Sequence, residues 1–143
     1  MRVALVAARK ALASQDIPVG AAIFNAAGEL VATGHNEREL HSDPTAHAEI
    51  VAIRAAAQSL GTWRLDGCTL VVTLEPCAMC AGAIAQSRIS TLVFGAWDEK
   101  AGAVGSVWDL LRDSRSLHKV EVRTGVMAEE SSKLLQDFFK SHR

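Results

Sequence analysis

The stretch TLVVTLEPCAMCAGAIAQS, residues 69–87, contains a strand signal, a helix signal and two closely spaced cysteines. Its first six residues, TLVVTL, form a nearly unbroken β-prone apolar run, which is typical of a strand covered on both faces. Glu75 and Pro76 end this run, and the following CAMCAGAIAQS is predicted to be a helix. A buried strand that leads directly into a helix indicates a sheet packed between helical layers.

The sequence on either side supplies the other elements of such a sandwich. Leu5, Ala8 and Leu12 recur at helical spacing, which predicts a helix at the start of the chain. The runs PVGAAIFN and ELVATGHN predict a β-hairpin, and TLVFG and KVEVRT predict two more strands. Further helices are predicted around residues 107–111 and in the last segment, MAEESSKLLQDFFKSHR. We therefore predict a three-layer α/β/α sandwich with a central mixed five-stranded sheet, in a single domain of residues 1–143.

One of the predicted helices carries a histidine and a glutamate, His47 and Glu49, which are residue types that bind metals or transfer protons. Asp43 and Pro44 are suited to its start, since aspartate caps helices and proline is tolerated in the first turn. Gly61 is suited to its end. His47 and Glu49 lie near the predicted start, and the predicted buried face is formed by Ile50, Ile53, Ala57 and Leu60.

The composition excludes several classes of protein. With 49% hydrophobic and 22% charged residues, the chain is predicted to be globular. No apolar run is long enough to cross a bilayer, and Arg9 and Lys10 interrupt the opening VALVAA too early for a secretory signal. Three cysteines cannot all pair within one chain, which favours a reducing cytoplasm. The formal charge of −1 means that any contact with RNA would be local.

Cys77 and Cys80 are spaced to bind one metal ion. At i and i+3 on a helix their sulfurs share a face, and the helix N-terminus favours the thiolate form. His47, near another helix N-terminus, could add a nitrogen to the same zinc. Three protein ligands leave one position open, as catalytic zinc sites do. Glu49 is then suited to accept a proton from water in that open position and to return it later.

Two other interpretations of the cysteine pair remain open at this point. A C-x-x-C sequence also occurs in thioredoxin-like redox pairs, although these do not need an upstream His-x-Glu. A closed structural zinc site is the second alternative. It would need a fourth protein ligand, for which His35, His41 and Cys68 are the candidates.

The pattern H-A-E followed by P-C-A-M-C resembles the zinc-dependent cytidine deaminase-like superfamily, most closely its branch of bacterial tRNA adenosine deaminases. The resemblance extends over nearly the whole chain. It implies a cytidine deaminase-like fold and Zn²⁺ bound by His47, Cys77 and Cys80, with Glu49 as the proton shuttle. It also implies conversion of adenosine to inosine at the wobble position of tRNA anticodons. The segments that carry the resemblance are PVGAAI, GHN, DPTAHAEI, TLEPCAMCAGAI, SRI, FGAWDEKAGAVGS and DFF.

The same resemblance assigns residues to the substrate. Asn36 matches the family's pocket asparagine, which contacts the flipped-out base, and Asp98 lies in the loop that borders the substrate. Phe138 and Phe139 are expected to place one ring in the core and the other near an RNA base. The implied partner is a tRNA anticodon stem-loop, and the implied assembly is a cytoplasmic homodimer without membrane contact.

Departures from the family pattern concern the RNA surface. Trp97 stands where similar sequences often have a basic residue, and Ala101 stands where threonine is frequent. A compensating basic patch is expected from Arg112, Arg115, Lys119 and Arg123, together with the basic residues of the C-terminal segment, Lys140 and Arg143.

Two other functions are weighed against tRNA editing. The near-neutral charge favours a salvage deaminase that acts on free guanine, cytosine or adenosine. A zinc-stabilised RNA-binding scaffold without turnover is the other alternative, but such a protein would have little need of Glu49.

Overall fold

The computed structural model describes residues 1–142, in which a single sheet of five strands is covered by helices on both faces. The first helix is continued by a short 3-10 turn at Ala11–Ser14. The helices are α1 (Arg2–Lys10), α2 (Arg38–His41), α3 (Ala48–Leu60), α4 (Ala78–Gln86) and α5 (Ala128–Ser141). The strands are β1 (Gly20–Phe24), β2 (Leu30–His35), β3 (Thr69–Leu74), β4 (Thr91–Ala96) and β5 (Glu121–Arg123).

The sheet is mixed, as predicted, with the strand order β2-β1-β3-β4-β5. Strand β1 runs antiparallel to both β2 and β3, whereas β3, β4 and β5 are parallel. The carboxyl ends of β3 and β4 therefore lie side by side. In open α/β sheets ligands bind outside the carboxyl ends of parallel strands. A ligand site is therefore expected next to the segments that follow Leu74 and Ala96.

Two helical layers enclose the sheet, which confirms the predicted sandwich. Helices α1 and α5 cover one face, and α3 and α4 cover the other. Small residues allow α1 and α3 to lie unusually close to the sheet. A Cβ atom on Gly20 would lie 2.0 Å from the carbonyl oxygen of Ala4, and one on Gly34 would lie 2.5 Å from that of Ala48.

The buried face of α3 differs from the predicted one. Ala48, Ala52 and Ala56 are completely buried, whereas Ile50 and Ile53 are only half-buried and Leu60 is exposed. The reason is the close approach of α3 to Gly34, because only a row of alanines fits between the helix and β2. The sequence pattern favoured the larger side chains, which lie on the flanks of this contact.

Two predicted helix positions are also wrong. Helix α3 begins at Ala48, because the Asp43 carboxylate forms a separate turn in which it accepts hydrogen bonds from the Thr45 backbone N–H and hydroxyl, at 2.8 and 2.7 Å. Residues 107–111 are not helical, and Asp109 instead forms an isolated antiparallel bridge with Val104.

Among residues 1–142, no helix has the length and apolar character that a membrane span requires.

Candidate active site and metal centre

Three side chains converge where α3 and α4 begin. Nδ1 of His47 lies 3.7 Å from Sγ of Cys77 and 3.5 Å from Sγ of Cys80, and all three atoms lie within 4.8 Å of one another. The structure thus brings together the three residues that the sequence singled out as metal ligands. In the part of the chain that the structure describes, no other His, Cys, Asp or Glu belongs to a group of this kind.

The helix ends explain how these side chains meet. His47 and Cys77 are the N-cap residues of α3 and α4, and both have extended backbone, with ψ angles of 155° and 176°. The N-cap side chain and the residue three positions later approach each other, as they do in a capping box, so Cys80 reaches the same point as Cys77. Since His47 precedes the helix instead of lying within it, Glu49 in the first turn can face the same cavity.

The spacing of the three donor atoms fits zinc. Tetrahedral coordination with Zn–S near ~2.3 Å and Zn–N near ~2.05 Å places nitrogen and sulfur ligands about 3.6 Å apart. The two observed N···S separations, 3.5 and 3.7 Å, lie on either side of this value. One imidazole and two sulfurs are also ligands that zinc prefers. The donor set is therefore suited to zinc, with one coordination position left to a ligand from outside the protein.

The electrostatics of the donor atoms favour a bound cation. A hydrogen bond from the Cys80 thiol, with a further one from His47, lowers the pKa of the Cys77 thiol to about 3. The same hydrogen bond raises the pKa of Cys80, and burial raises it further. The hydrogen bond with Cys77 likewise raises the pKa of His47. Negative charge on the Cys77 sulfur is thus favoured, and a divalent cation would neutralise it.

Glu49 is a buried carboxyl group beside these ligands. Its side chain is 4% exposed, and it lines the same cavity as His47 and Cys77. Burial raises the pKa of Glu49 to about 7, although its own backbone N–H and the nearby His47 act in the opposite direction. A carboxyl group whose pKa lies near neutrality can both accept and donate a proton at physiological pH.

The cavity next to the donor atoms is small. Its volume is about 180 Å³, below the roughly 300–1,000 Å³ of pockets for drug-sized ligands, so it suits a single base. Asn36, Arg38, Leu74 and Ala101 contribute to its walls.

Arg38 was not identified from the sequence. It belongs to the short helix α2, which the Asp16 carboxylate holds by accepting hydrogen bonds from the backbone N–H groups of Glu39 and Leu40.

Asn36 lines the cavity and also fixes the start of α3. Its Oδ1 accepts a hydrogen bond from the backbone N–H of Ala48, and its Nδ2 donates one to the carbonyl of Ile17, both at 3.0 Å. The first bond holds the residue next to His47. An amide has two N–H donors and two lone pairs, so one donor and one lone pair of Asn36 remain for a ligand.

A larger groove continues from the cavity. It has a volume of about 590 Å³ and shares Ile17, Leu74 and Asp98 with the cavity wall. Trp97 and Phe139 are 47% and 49% exposed and line this groove. Phe138 is only 8% exposed and does not line it. The two phenylalanines divide between core and surface as expected, and Phe139 is the one that faces the groove.

Asp98 lies where the groove and the cavity meet. Its Oδ1 accepts hydrogen bonds from the backbone N–H groups of Lys100 and Ala101, at 3.0 and 3.2 Å. One carboxylate oxygen therefore stabilises the turn of its own loop, while the residue lines both spaces. Its predicted contact with the substrate remains a prediction.

Three arginines of the expected basic patch are neutralised by acidic neighbours, and Arg143 lies outside the described residues. Arg112, Arg115 and Arg123 each pair with an acidic neighbour, at N···O distances of 2.7–2.9 Å. Exposed ion pairs of this kind contribute little to stability, but they reduce the net positive charge. The acidic partners are Asp109, Asp113 and Glu121, respectively. Aromatic side chains and Lys100 in the groove are therefore better placed than this patch to contact a nucleic acid.

The candidates for a fourth protein ligand lie elsewhere. His35 and His41 face Glu37, with Nε2 atoms 3.7 and 3.1 Å from its carboxylate oxygens. Cys68 is buried in the core beside β3. None of the three belongs to the metal-ligand group, so the structure does not favour a closed structural zinc site.

Comparisons with known proteins agree with this geometry. The family model for the cytidine and deoxycytidylate deaminase zinc-binding region matches residues 1–96. The tRNA-specific adenosine deaminase of Haemophilus influenzae is 50% identical over 143 residues, which is all of this chain and 83% of that protein. Both similarities include His47, Glu49, Cys77 and Cys80.

Solved structures show the same fold. One comes from a study of A-to-I editing by tRNA:A34 deaminases at the wobble position of transfer RNA. It has a TM-score of 0.90 and 42% identity, and the match covers 94% of this chain and 97% of that one. A guanine deaminase from Nitrosomonas europaea has a TM-score of 0.80 and 30% identity, with 96% and 81% coverage.

Proposed function

Because this chain belongs to the zinc-dependent cytidine and deoxycytidylate deaminase family, and within it to the tRNA adenosine deaminases, we propose that it converts the wobble adenosine of a tRNA anticodon to inosine. The observation that carries the proposal is the open set of one imidazole and two sulfurs with Glu49 beside it. The groove that continues from the cavity gives the rest of an RNA loop a place to bind.

His47, Cys77 and Cys80 would hold the zinc ion, which when bound lowers the pKa of water and supplies a nucleophile at neutral pH. Hydrolysis adds a water oxygen to C6 of adenine and releases the amino group as ammonia. Glu49 accepts the proton of the attacking water and delivers it to a ring nitrogen of the base. Glu49 then takes the second proton from the hydroxyl group now bonded to C6 and delivers it to the amino group, so that the C6–N bond breaks, ammonia leaves and a C6 carbonyl remains. A carboxyl group with a pKa of about 7 can serve in both transfers.

The cavity wall orients the base for this reaction. Asn36 offers one N–H and one lone pair to the base while its other groups hold the start of α3. Leu74 and Ile17 supply apolar surface, which helps to exclude bulk water from the reacting atoms. A base that enters this cavity must leave its stack, which costs least in a single-stranded loop.

Purified protein incubated with different substrates tests the proposal. We expect inosine from an adenosine-containing anticodon stem-loop, and no product from free adenosine, cytidine or guanine under the same conditions. Product from guanine alone would favour a salvage enzyme like the Nitrosomonas europaea guanine deaminase, whose structure is similar. Zinc and RNA binding without any product would favour the scaffold alternative.

Trp97 is expected to contribute to RNA binding. Its ring lies nearly perpendicular to that of Phe94, with centroids 4.9 Å apart, and the side chain is half-exposed and lines the groove. Stacking of a base on an aromatic side chain is worth about 1–3 kcal/mol, so Trp97→Ala should weaken stem-loop binding roughly 5- to 150-fold. Fluorescence anisotropy with a labelled stem-loop measures this change. Trp63→Ala is the matched control, because Trp63 is exposed but lines neither space, and an equal loss in that variant would contradict the assignment.

We also propose that the protein is a cytoplasmic homodimer that pairs through α4. The outer face of this helix is small and apolar and is not covered by the chain itself, since Ala78, Met79 and Gly82 are exposed. Exposed apolar faces of this kind mark interaction surfaces. Gly82→Glu should shift the protein from dimer to monomer in sedimentation velocity, and a wild-type protein that is monomeric at micromolar concentration would contradict the proposal.

A tRNA substrate and three cysteines without disulfides support the cytoplasmic location.

A further inference from the structure

Glu75 is a buried carboxylate that takes no part in the chemistry described above. It follows β3 directly and is 2% exposed. Both of its oxygens accept hydrogen bonds from one distant segment, residues 98–106. Oε1 accepts from the backbone N–H groups of Val104 and Ser106, each at 3.0 Å. Oε2 accepts from the backbone N–H of Asp98 at 2.9 Å and from the Ser106 hydroxyl.

This arrangement makes Glu75 the anchor of the segment. Its two oxygens accept four hydrogen bonds, three from backbone N–H groups and one from the Ser106 hydroxyl, and all the donors belong to residues 98–106. In the described part of the chain, no lysine, arginine or histidine forms a salt bridge with it. The negative charge is therefore balanced by hydrogen-bond donors of the loop, and hydrogen bonds to a charged group are among the stronger ones in proteins.

Glu75 and the two residues that follow it all lie in close contact with the loop. A Cβ atom on Gly102 would lie 2.2 Å from Oε2 of Glu75, so only glycine fits above the carboxylate. The backbone N–H of Ala103 donates to the carbonyl of Pro76 at 2.8 Å, and Gly102 forms an antiparallel bridge with Cys77. The strand end that leads to the metal ligand Cys77 is thus joined to the loop at consecutive residues.

The anchored segment also forms part of the walls of the cavity and of the groove, where the substrate would bind. Asp98 and Ala101 line the cavity, and Asp98, Glu99 and Lys100 line the groove. All carboxylate contacts of Glu75 are directed at this segment, so they fix the position of the wall relative to Cys77 together with the backbone contacts of Pro76 and Cys77. We infer that Glu75 is a positioning residue for the substrate, which holds the 98–106 wall at a fixed distance from the metal ligands.

This inference rests on the proposed function, and Glu75→Gln tests it. Glutamine keeps the size of the side chain but places an amide N–H₂ where one oxygen accepted hydrogen bonds, so at least one loop donor loses its partner. We expect KM for the stem-loop to rise about tenfold or more, while kcat at saturation changes by less than about threefold. Zinc content and the pH dependence of kcat should remain those of the wild type.

Two further measurements separate positioning from a structural role. Ser106→Ala removes one donor at an exposed residue, so the variant should fold normally and raise KM by a smaller factor than Glu75→Gln. In a double-mutant cycle, Ser106→Ala should add little once Glu75 has been replaced, because both changes break the same contact. Glu130→Gln, the same chemical change at an exposed residue of α5, is the matched control.

Several outcomes would overturn the inference. A Glu75→Gln protein with a lower melting temperature but unchanged KM would show a purely structural role. Loss of zinc, or a loss of kcat with a displaced pH profile, would assign Glu75 to the chemistry instead. Hydrogen exchange keeps the inference testable even if the wild type fails to deaminate the stem-loop. The backbone amides of Asp98, Val104 and Ser106 should exchange faster in Glu75→Gln than in the wild type, and unchanged exchange would contradict the anchor.

Discussion

A Glu49→Gln variant should deaminate the stem-loop roughly 100- to 10,000-fold more slowly than the wild type, which is the range that general acid–base catalysis contributes. Glutamine has nearly the same shape but cannot accept a proton from water or pass one to the base. Because Glu49 is not part of the metal-ligand group, the variant should still bind an equimolar amount of zinc. Single-turnover assays of inosine formation and metal analysis of the same preparation measure both quantities.

The control for this experiment is Glu130→Gln, which makes the same change on the exposed surface of α5 and should retain full activity. If Glu49→Gln lost zinc together with activity, Glu49 would be a metal ligand and the assignment of an open coordination position would fail. Retained activity would show that another group moves the proton. Asp98 is an alternative, since it also lines the cavity.

Replacing Cys80 by serine should remove zinc and activity together. A serine hydroxyl is not deprotonated at neutral pH as a thiol beside a metal is, so it is a poor zinc ligand. Changes of outer-shell partners already cost about 10–100-fold in metal affinity, and the loss of a direct ligand should cost more. We therefore expect no detectable inosine and no zinc after dialysis against a weak chelator.

Thermal unfolding gives an independent readout of the same change. Zinc binds the folded state, so chelation should lower the melting temperature of the wild type and leave that of Cys80→Ser unchanged. Cys68→Ala is the control, because Cys68 is the third cysteine and is equally buried but lies outside the ligand group. If Cys68→Ala also lost zinc, Cys68 would be a fourth ligand and the site would be a closed structural one.

The sequence predicted most reliably those parts that depend on local pattern. The apolar run of β3 and the following C-x-x-C predicted a buried strand that leads into a helix, and the structure has both. His47, Cys77 and Cys80 were predicted as zinc ligands because metal binding restricts both residue type and spacing, and the structure brings their donor atoms within 4.8 Å of one another. The local backbone was less predictable, since His47 and Cys77 are N-caps in extended conformation and not helical residues.

Features that depend on distant contacts were missed or placed wrongly. The buried face of α3 is set by its close contact with Gly34 of strand β2. The helical spacing of Ile50 and Ile53 predicted that these side chains would be buried, but they are only half-buried. Residues 107–111 have a helix-like apolar pattern, but they are held by a bridge between Val104 and Asp109. The partners of Glu75 lie 23–31 residues further along the chain. A charged residue at the end of a buried strand was the available signal for Glu75, although it does not identify the partner.

Anomalous diffraction from crystals of the zinc-loaded protein tests the central claim most directly. We predict a zinc peak bound by Nδ1 of His47 and the sulfurs of Cys77 and Cys80, with a solvent molecule in the fourth position next to the Glu49 carboxylate. A fourth ligand from the protein, such as Cys68, His35 or Glu49 itself, would contradict the open site. Zinc bound outside these three residues would contradict the proposed chemistry as a whole.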